Sequence, residues 1–169
     1  PSIDRPAGPL LLAAGHPHAH GMPAGVRILA STLPRLTLVL GGARSGKSAC
    51  AEALVLASGL QPVYVATAQA LDPEMAARID HHRRRRGAAW TTVEEPLALT
   101  DLLAREAREG RAVLVDCLTL WLTNLGFSHN WNENPINEAI ERFAAVVAKP
   151  PCDLAIVTNE VGSGIVPER

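Results

Sequence analysis

Residues 36–48 read LTLVLGGARSGKS, and this stretch is the strongest indication of the fold. Its opening residues are apolar or β-branched, which is typical of a buried β-strand. Residues 41–48 then satisfy the pattern G-x-x-x-x-G-K-[ST], which describes a phosphate-binding loop between a strand and a helix. The stretch therefore predicts an α/β domain that binds a nucleotide.

The chemistry of phosphate binding accounts for the residue types in this loop. Glycines let the backbone fold tightly, so that successive N–H groups and the positive end of the following helix point at phosphate oxygens. Lys47 is expected to bridge the β and γ phosphates, and Ser48 to ligate Mg²⁺. Arg44 is expected either to contact phosphate or to face solvent. The predicted nucleotide contacts in the loop are Gly41, Gly42, Ala43, Arg44, Ser45, Gly46, Lys47 and Ser48.

After residue 36, short apolar runs alternate with segments of helical periodicity. The predicted strands are residues 37–40, 63–67, 112–116 and 154–158, with a shorter one at 90–93. The predicted helices are residues 47–58, 73–86, 96–109 and 135–149. Because the strand runs are apolar on both faces, we expect a mostly parallel sheet flanked by helices in three layers.

Composition limits the class of protein. The 169 residues suffice for one domain. With 16 Lys+Arg against 17 Asp+Glu, the net charge of −1 disfavours nucleic acid as a partner. No apolar run reaches the roughly 18 residues that a membrane span needs. The three cysteines are far apart in apolar surroundings, which indicates reduced thiols and predicts a cytoplasmic protein.

The two ends of the chain depart from the α/β pattern. We expect residues 1–35 to be a poorly ordered extension and residues 36–169 to form the nucleotide-binding domain. His16, His18 and His20 alternate in the extension, and we interpret them as part of a flexible tract rather than a metal site. At residue 169 the sequence stops where an α/β unit would continue into another helix, so we expect the C-terminal part of the domain to be truncated.

Asp116 closes the apolar run AVLVDC at the predicted carboxyl end of a buried strand. Ligands bind at this edge in open α/β sheets, so Asp116 is expected to hold Mg²⁺ directly or through water. The alternative is that it caps a helix formed by the following CLTLWLTNL.

Residues 76–87 read AARIDHHRRRRG and lie in a predicted helix with Asp72 as its N-cap and Pro73 at its first position. Helical spacing aligns His82 with apolar residues, whereas His81 aligns with Arg78 and other polar residues. We therefore expect His82 to point toward packing and His81 toward solvent or chemistry. Adjacent residues diverge by about 100° around a helix, so the two histidines are poor ligands for one metal.

Three interpretations of the arginine run remain open at this point. The arginines form a solvated helix end favoured by the helix dipole, or contact nucleic acid, or stabilise phosphate while an imidazole attacks phosphorus. A phosphate-binding loop elsewhere in the chain favours the third.

Four segments together resemble a known family. They are LVLGGARSGKS at 38–48, VYVATAQALDPEMAARIDHHRRRRGAAW at 63–90, VLVDCLTLWLTNL at 113–125 and IVTNEVGSGIVPE at 156–168. They resemble the bifunctional adenosylcobinamide kinase/adenosylcobinamide-phosphate guanylyltransferase of cobalamin biosynthesis. The resemblance extends from about residue 36 to residue 169.

The resemblance implies a RecA-like P-loop fold, a homotrimer and two activities. First, ATP or GTP phosphorylates adenosylcobinamide. Then GTP donates GMP to a histidine, which is His81 by position in the motif, and the GMP passes to adenosylcobinamide phosphate. The implied nucleotide contacts beyond the loop are Thr67, Ala68, Gln69, His82, Arg83, Arg84, Arg85, Glu94 and Asp116. For Glu94 the alternative is an exposed carboxylate at a strand end. Two further interpretations stay open, a plain P-loop small-molecule kinase and a nucleotide-regulated binding module.

Overall fold

A computed structural model describes residues 36–42 and 44–159, together with the backbone of residues 11–12 and 27–30. The strands are β1 (Leu11–Leu12), β2 (Arg27–Ala30), β3 (Leu36–Gly41), β4 (Gln61–Ala66), β5 (Thr91–Glu94), β6 (Arg111–Asp116) and β7 (Asp153–Asn159). The helices are α1 (Lys47–Ala57), α2 (Pro73–Arg86), α3 (Leu99–Glu106), α4 (Leu118–Ser128) and α5 (Glu133–Ala148).

The strands form one sheet in the order β1-β2-β3-β7-β6-β4-β5. Five neighbouring strands, β3, β7, β6, β4 and β5, are parallel. Strand β2 pairs antiparallel with β3, and β1 pairs antiparallel with β2. Ala66 lies opposite Asp116, and Asp116 lies opposite Val157. The carboxyl ends of the parallel strands therefore meet at one edge, next to the loop that follows β3.

Apolar side chains form a core on each face of the sheet. On one face α3, α4 and α5 cover alternate strand residues such as Val63 and Val113. On the other face α1 covers the intervening residues, among them Leu114 and Val157. Both faces of the central strands are buried, as the apolar runs predicted, and the three-layer α/β architecture is confirmed.

The strand predictions agree with the structure to within a few residues, but the helix predictions need correction. Helix α4 was foreseen only in the alternative interpretation of Asp116 as a helix cap, since CLTLWLTNL lacks amphipathic periodicity. Helix α3 begins at Leu99 rather than residue 96, because the Glu95 carboxylate accepts the N–H groups of Leu97 and Ala98 and forms a separate turn. Helix α5 begins at Glu133, two residues before the predicted proline.

Most of the N-terminal extension and the end of the chain lie outside the described residues. The described parts of residues 1–35 are β1 and β2, which pair with the sheet. His16, His18, His20 and residues 160–169 are outside them, so the predictions for these parts stay predictions. Among the described helices, none is long and apolar enough to cross a membrane.

Candidate active site

A cavity of about 180 Å³ opens at the carboxyl edge of the sheet. Helix α1 contributes Ser48 and Glu52 to its lining, β4 contributes Tyr64, and the end of β6 contributes Asp116. One face of α2 lies across from them. The cavity therefore joins the phosphate-binding loop to the helix that carries both histidines.

The phosphate-binding loop has the compact backbone that its sequence predicts. Gly46, the N-cap of α1, has φ 80° and supplies no side-chain cap. Lys47 is only 9% exposed, and its Nζ donates to the Gly42 carbonyl at 2.9 Å. The Ser45 hydroxyl is buried without a hydrogen-bond partner within the described part of the chain. The free N–H groups at the start of α1, the buried ammonium and the unsatisfied hydroxyl suit a bound phosphate group.

The structure places Arg44 and Gly42 at the same loop but does not describe Ala43. Arg44 is exposed and adopts the left-handed region with φ 58°. The prediction left its role open between phosphate and solvent, and in this conformation its side chain faces solvent.

Ser48 and Asp116 line the same cavity, as a shared cation site requires. Asp116 is not a helix cap, because Cys117 is the N-cap of α4 and its Sγ accepts from the Leu120 N–H at 3.4 Å. No cluster of three or more His, Cys, Asp or Glu side chains occurs among the described residues. Mg²⁺ usually takes one or two protein oxygens and completes its shell with phosphate and water, so this pair fits a nucleotide-bound Mg²⁺.

Helix α2 presents one stripe of side chains to the cavity. The stripe consists of Met75, Arg78, Ile79, His82 and Arg86. Asp72 Oδ1 accepts the Met75 N–H at 2.7 Å and Pro73 opens the helix, so the predicted N-cap is confirmed.

The two histidines diverge around the helix; His81 is exposed as predicted, whereas the predicted packing of His82 is wrong. His82 lines the cavity and is exposed, so it does not pack into a core. His81 is also exposed and lies outside the cavity lining, with its ring centroid 5.9 Å from that of His82. Arg78, which the helical count grouped with His81, lines the cavity beside His82 instead. The count failed because α2 buries no residue, so its inner stripe faces the cavity rather than apolar packing.

The arginine run divides between the cavity and the outer surface. Arg84 pairs with Asp80 on its own helix, and Arg85 pairs with Glu52 of α1 at 3.1 Å. Arg83 is exposed, and neither it nor the Arg84 side chain lines the cavity. Arg86 lines it, and sequence reasoning missed this residue although it lies four positions after His82 on the same helical face.

The remaining predicted nucleotide contacts follow β4 or lie at the end of β5. Thr67 is fully buried, and its hydroxyl donates to the Cys117 carbonyl at 2.8 Å and accepts the Cys117 N–H at 2.9 Å. Ala68 lines the cavity, whereas Gln69 does not. Glu94 is exposed at the end of β5, outside the cavity lining. In this conformation Thr67 holds the backbone of Cys117, directly after β6. Ligand contacts by Gln69 and Glu94 stay predictions.

Two side chains that line the cavity, Tyr64 and Cys117, have raised pKa values. Burial and the neighbouring Asp116 carboxylate raise the pKa of the Tyr64 phenol, and burial raises the pKa of the Cys117 thiol. Tyr64 donates its hydroxyl hydrogen to Asp116 Oδ2. Tyr64 therefore acts as a neutral donor to the carboxylate, while the Cys117 sulfur accepts the Leu120 N–H.

The phosphate-loop motif, the carboxylate at the end of β6 and the histidine-bearing helix over one cavity are consistent with the class of P-loop NTPase-like α/β proteins. A family model described as "Cobinamide kinase / cobinamide phosphate guanyltransferase" matches residues 37–169. The chain belongs to this family, which confirms the predicted resemblance.

Three relatives carry the name bifunctional adenosylcobalamin biosynthesis protein. The protein CobP of Pseudomonas aeruginosa is 51% identical over 130 residues, which cover 77% of this chain and 74% of CobP. The protein CobU of Escherichia coli K12 is 44% identical over 144 residues, 79% of each chain. CobU of Salmonella typhimurium is 42% identical over 145 residues, 79% of this chain and 80% of that protein.

Proposed function

We propose that this enzyme phosphorylates adenosylcobinamide with ATP or GTP and then converts adenosylcobinamide phosphate to adenosylcobinamide-GDP. Membership of the cobinamide kinase / cobinamide phosphate guanyltransferase family supports both activities. The observation that carries the proposal is the single cavity that joins Ser48 and Asp116 to the face of α2. One nucleotide site beside a histidine-bearing helix suits an enzyme that uses the terminal phosphate in one reaction and the α-phosphate in the other.

In the kinase reaction, the hydroxyl oxygen of adenosylcobinamide attacks the γ-phosphorus and the bond to the β–γ bridging oxygen breaks. The hydroxyl proton passes to solvent, and the nucleoside diphosphate leaves. Lys47 offsets the negative charge that builds on the phosphates, because its ammonium lies buried at the loop. Ser48 and Asp116 would hold Mg²⁺, which supplies charge neutralisation on the phosphates when it is bound.

In the guanylyl reaction, an unprotonated imidazole nitrogen of His81 attacks the α-phosphorus of GTP, and pyrophosphate leaves as a phosphoramidate forms. A phosphate oxygen of adenosylcobinamide phosphate then attacks the same phosphorus, the P–N bond breaks and the imidazole is released. Arg78 and Arg86, which line the cavity on the same helix, are placed to stabilise phosphate charge.

The choice of His81 as nucleophile rests on its position in the family motif and on its exposure to solvent. His82 is its natural competitor, because His82 lines the cavity with Ser48 and Asp116. In the alternative of a plain small-molecule kinase, the histidine- and arginine-bearing helix only binds phosphate.

We further propose that the enzyme works in the cytoplasm as a homotrimer, and that it has no nucleic-acid partner. The family resemblance supports the trimer, and reduced cysteines support the compartment; the three thiols are free in the structure. Analytical ultracentrifugation tests the trimer directly.

Product analysis tests the pair of activities. Adenosylcobinamide incubated with ATP is expected to give its phosphate, and further addition of GTP is expected to give adenosylcobinamide-GDP and pyrophosphate.

Lys47→Met is expected to lower the rate of phosphorylation by a factor of roughly 10² to 10³, the usual effect of removing a group that stabilises transition-state charge. Lys149, the other lysine of the chain, is exposed at the end of α5, so Lys149→Met is the matched control. Adenosylcobinamide phosphate without any GDP product would favour the plain kinase, and no product from wild type would contradict the proposal.

A further inference from the structure

Tyr64 connects β4 to the carboxylate at the end of β6. The two strands are neighbours, with Ala66 opposite Asp116, so Tyr64 lies on the cavity side two residues before that pair. Its hydroxyl donates to Asp116 Oδ2. The side chain is only 6% exposed, so this hydrogen bond to a charged acceptor forms in surroundings with little competing water.

The Tyr64 ring is itself held from two sides. Trp90 packs edge-on against it, with centroids 5.9 Å apart and an interplanar angle of 80°. The Arg86 guanidinium carbon lies 3.5 Å from the ring centroid on the cavity side. A ring fixed in this way keeps its hydroxyl directed at one carboxylate oxygen.

We propose that Tyr64 is a positioning residue for Asp116, and that it holds Oδ2 so that the remaining oxygen is oriented to bind the cation of a Mg²⁺-nucleotide complex. The inference rests on the proposed role of Asp116 in the nucleotide site. In this arrangement the Tyr64 hydroxyl is the donor and Asp116 Oδ2 the acceptor.

The Tyr64→Phe variant tests this role because it keeps the ring and removes only the hydroxyl. Binding of a fluorescent GTP analogue is measured without Mg²⁺ and then as Mg²⁺ is added. Affinity without Mg²⁺ is expected to stay within about twofold of wild type. The half-saturating Mg²⁺ concentration is expected to rise by about tenfold, because losing a hydrogen-bond partner of a metal-binding carboxylate commonly costs tenfold or more in affinity.

A double-mutant cycle separates positioning from packing. If Tyr64 acts through Asp116, Tyr64→Phe has no further effect on Mg²⁺ dependence in an Asp116→Asn background. An unchanged Mg²⁺ requirement in folded Tyr64→Phe, or an equal loss in both backgrounds, would overturn the proposal. So would a wild-type protein whose nucleotide affinity does not depend on Mg²⁺; guanylyl transfer to histidine has its own, separate test.

A second measurement keeps the Tyr64 hydroxyl in place. Tyr64 is the single tyrosine of the chain, so biosynthetic 3-fluorotyrosine labels this ring alone. Addition of Mg²⁺ to the GTP complex is expected to shift the fluorine resonance in the wild-type chain and not in Asp116→Asn. A resonance that ignores Mg²⁺, or shifts equally in both chains, would contradict a link between Tyr64 and the cation site.

Discussion

At the residue scale, Thr67 fixes the junction where Asp116 leaves β6. Its N–H donates to the Asp116 carbonyl at 3.1 Å, and its hydroxyl bonds both backbone groups of Cys117. Asn124 Nδ2 donates to the Thr67 carbonyl at 2.9 Å, which ties the same residue to α4. A buried threonine therefore sets the backbone that carries the carboxylate of the cavity.

Thr67→Val is expected to destabilise the protein by about 1–3 kcal/mol, because it keeps the shape and leaves buried backbone groups of Cys117 without a partner. Urea unfolding measures the loss. Thr91 is exposed on β5, so Thr91→Val is the control, with an expected change within about 0.5 kcal/mol. Equal stability of Thr67→Val and wild type would show that the Thr67 hydroxyl is dispensable.

The sequence predicted the chemistry of single residues better than their surroundings. Lys47 and Ser48 follow from a motif whose spacing fixes the local backbone, so their places in the loop were foreseeable. The cavity-facing side of α2 was not, because helical periodicity shows which residues share a face and not what that face meets. This is why Arg86 was missed and His82 was expected in a core.

At the element scale, α2 is the one described helix in which no residue is buried. Contacts at its C-terminal end link it to the body, with Arg85 paired to Glu52 and Arg86 over Tyr64. Surface ion pairs contribute little to stability, so α2 depends strongly on its own capping and dipole.

Removal of the N-cap tests this dependence. Asp72→Ala is expected to weaken α2 by about 1 kcal/mol, since the Met75 N–H loses its acceptor. Hydrogen exchange over residues 75–86 is expected to become faster while the midpoint of global unfolding stays nearly constant. Asp72→Asn retains a capping oxygen and is the control. Unchanged exchange in Asp72→Ala would show that tertiary contacts, rather than the cap, hold the helix.

Helices with clear end signals were predictable, whereas α4 appeared in the sequence only as an alternative with the wrong cap. Asp72, Pro73 and Gly87 mark both ends of α2 in the sequence, and its observed bounds agree with the prediction. The start of α4 is capped by a cysteine thiol, a rare acceptor that no sequence rule for helix starts emphasises.

At the scale of the whole molecule, the core between the sheet and helices α3, α4 and α5 is organised around Trp121. It is 2% exposed, its ring lies 5.0 Å from that of Phe143 on α5, and its Nε1 donates to the Leu97 carbonyl at 2.8 Å. One side chain thus joins α4, α5 and the turn before α3.

Trp121→Ala is expected to lower the free energy of unfolding by about 3–5 kcal/mol, because it leaves a large cavity and an unpaired carbonyl. Trp131 is 59% exposed and packs edge-on against Phe127, so Trp131→Ala is the matched control, with an expected loss of about 1 kcal/mol or less. Chemical denaturation compares the two. Similar losses would contradict the assignment of the core to Trp121.

The parallel architecture followed from local patterns, whereas the order of its strands did not. Runs such as Val113 to Val115 are apolar on both faces, and that requires helices on both sides of the sheet. The insertion of β7 between β3 and β6 depends on packing between distant segments, which a single local pattern does not record.

We propose that His81 carries GMP covalently. The direct measurement is incubation with GTP labelled at the α-phosphate, followed by denaturation and a search for acid-labile label on the protein. We expect label in wild type and in His82→Ala, at least in part, and none in His81→Ala. Label that survives in His81→Ala, or no label in a folded wild-type protein that binds GTP, would contradict it.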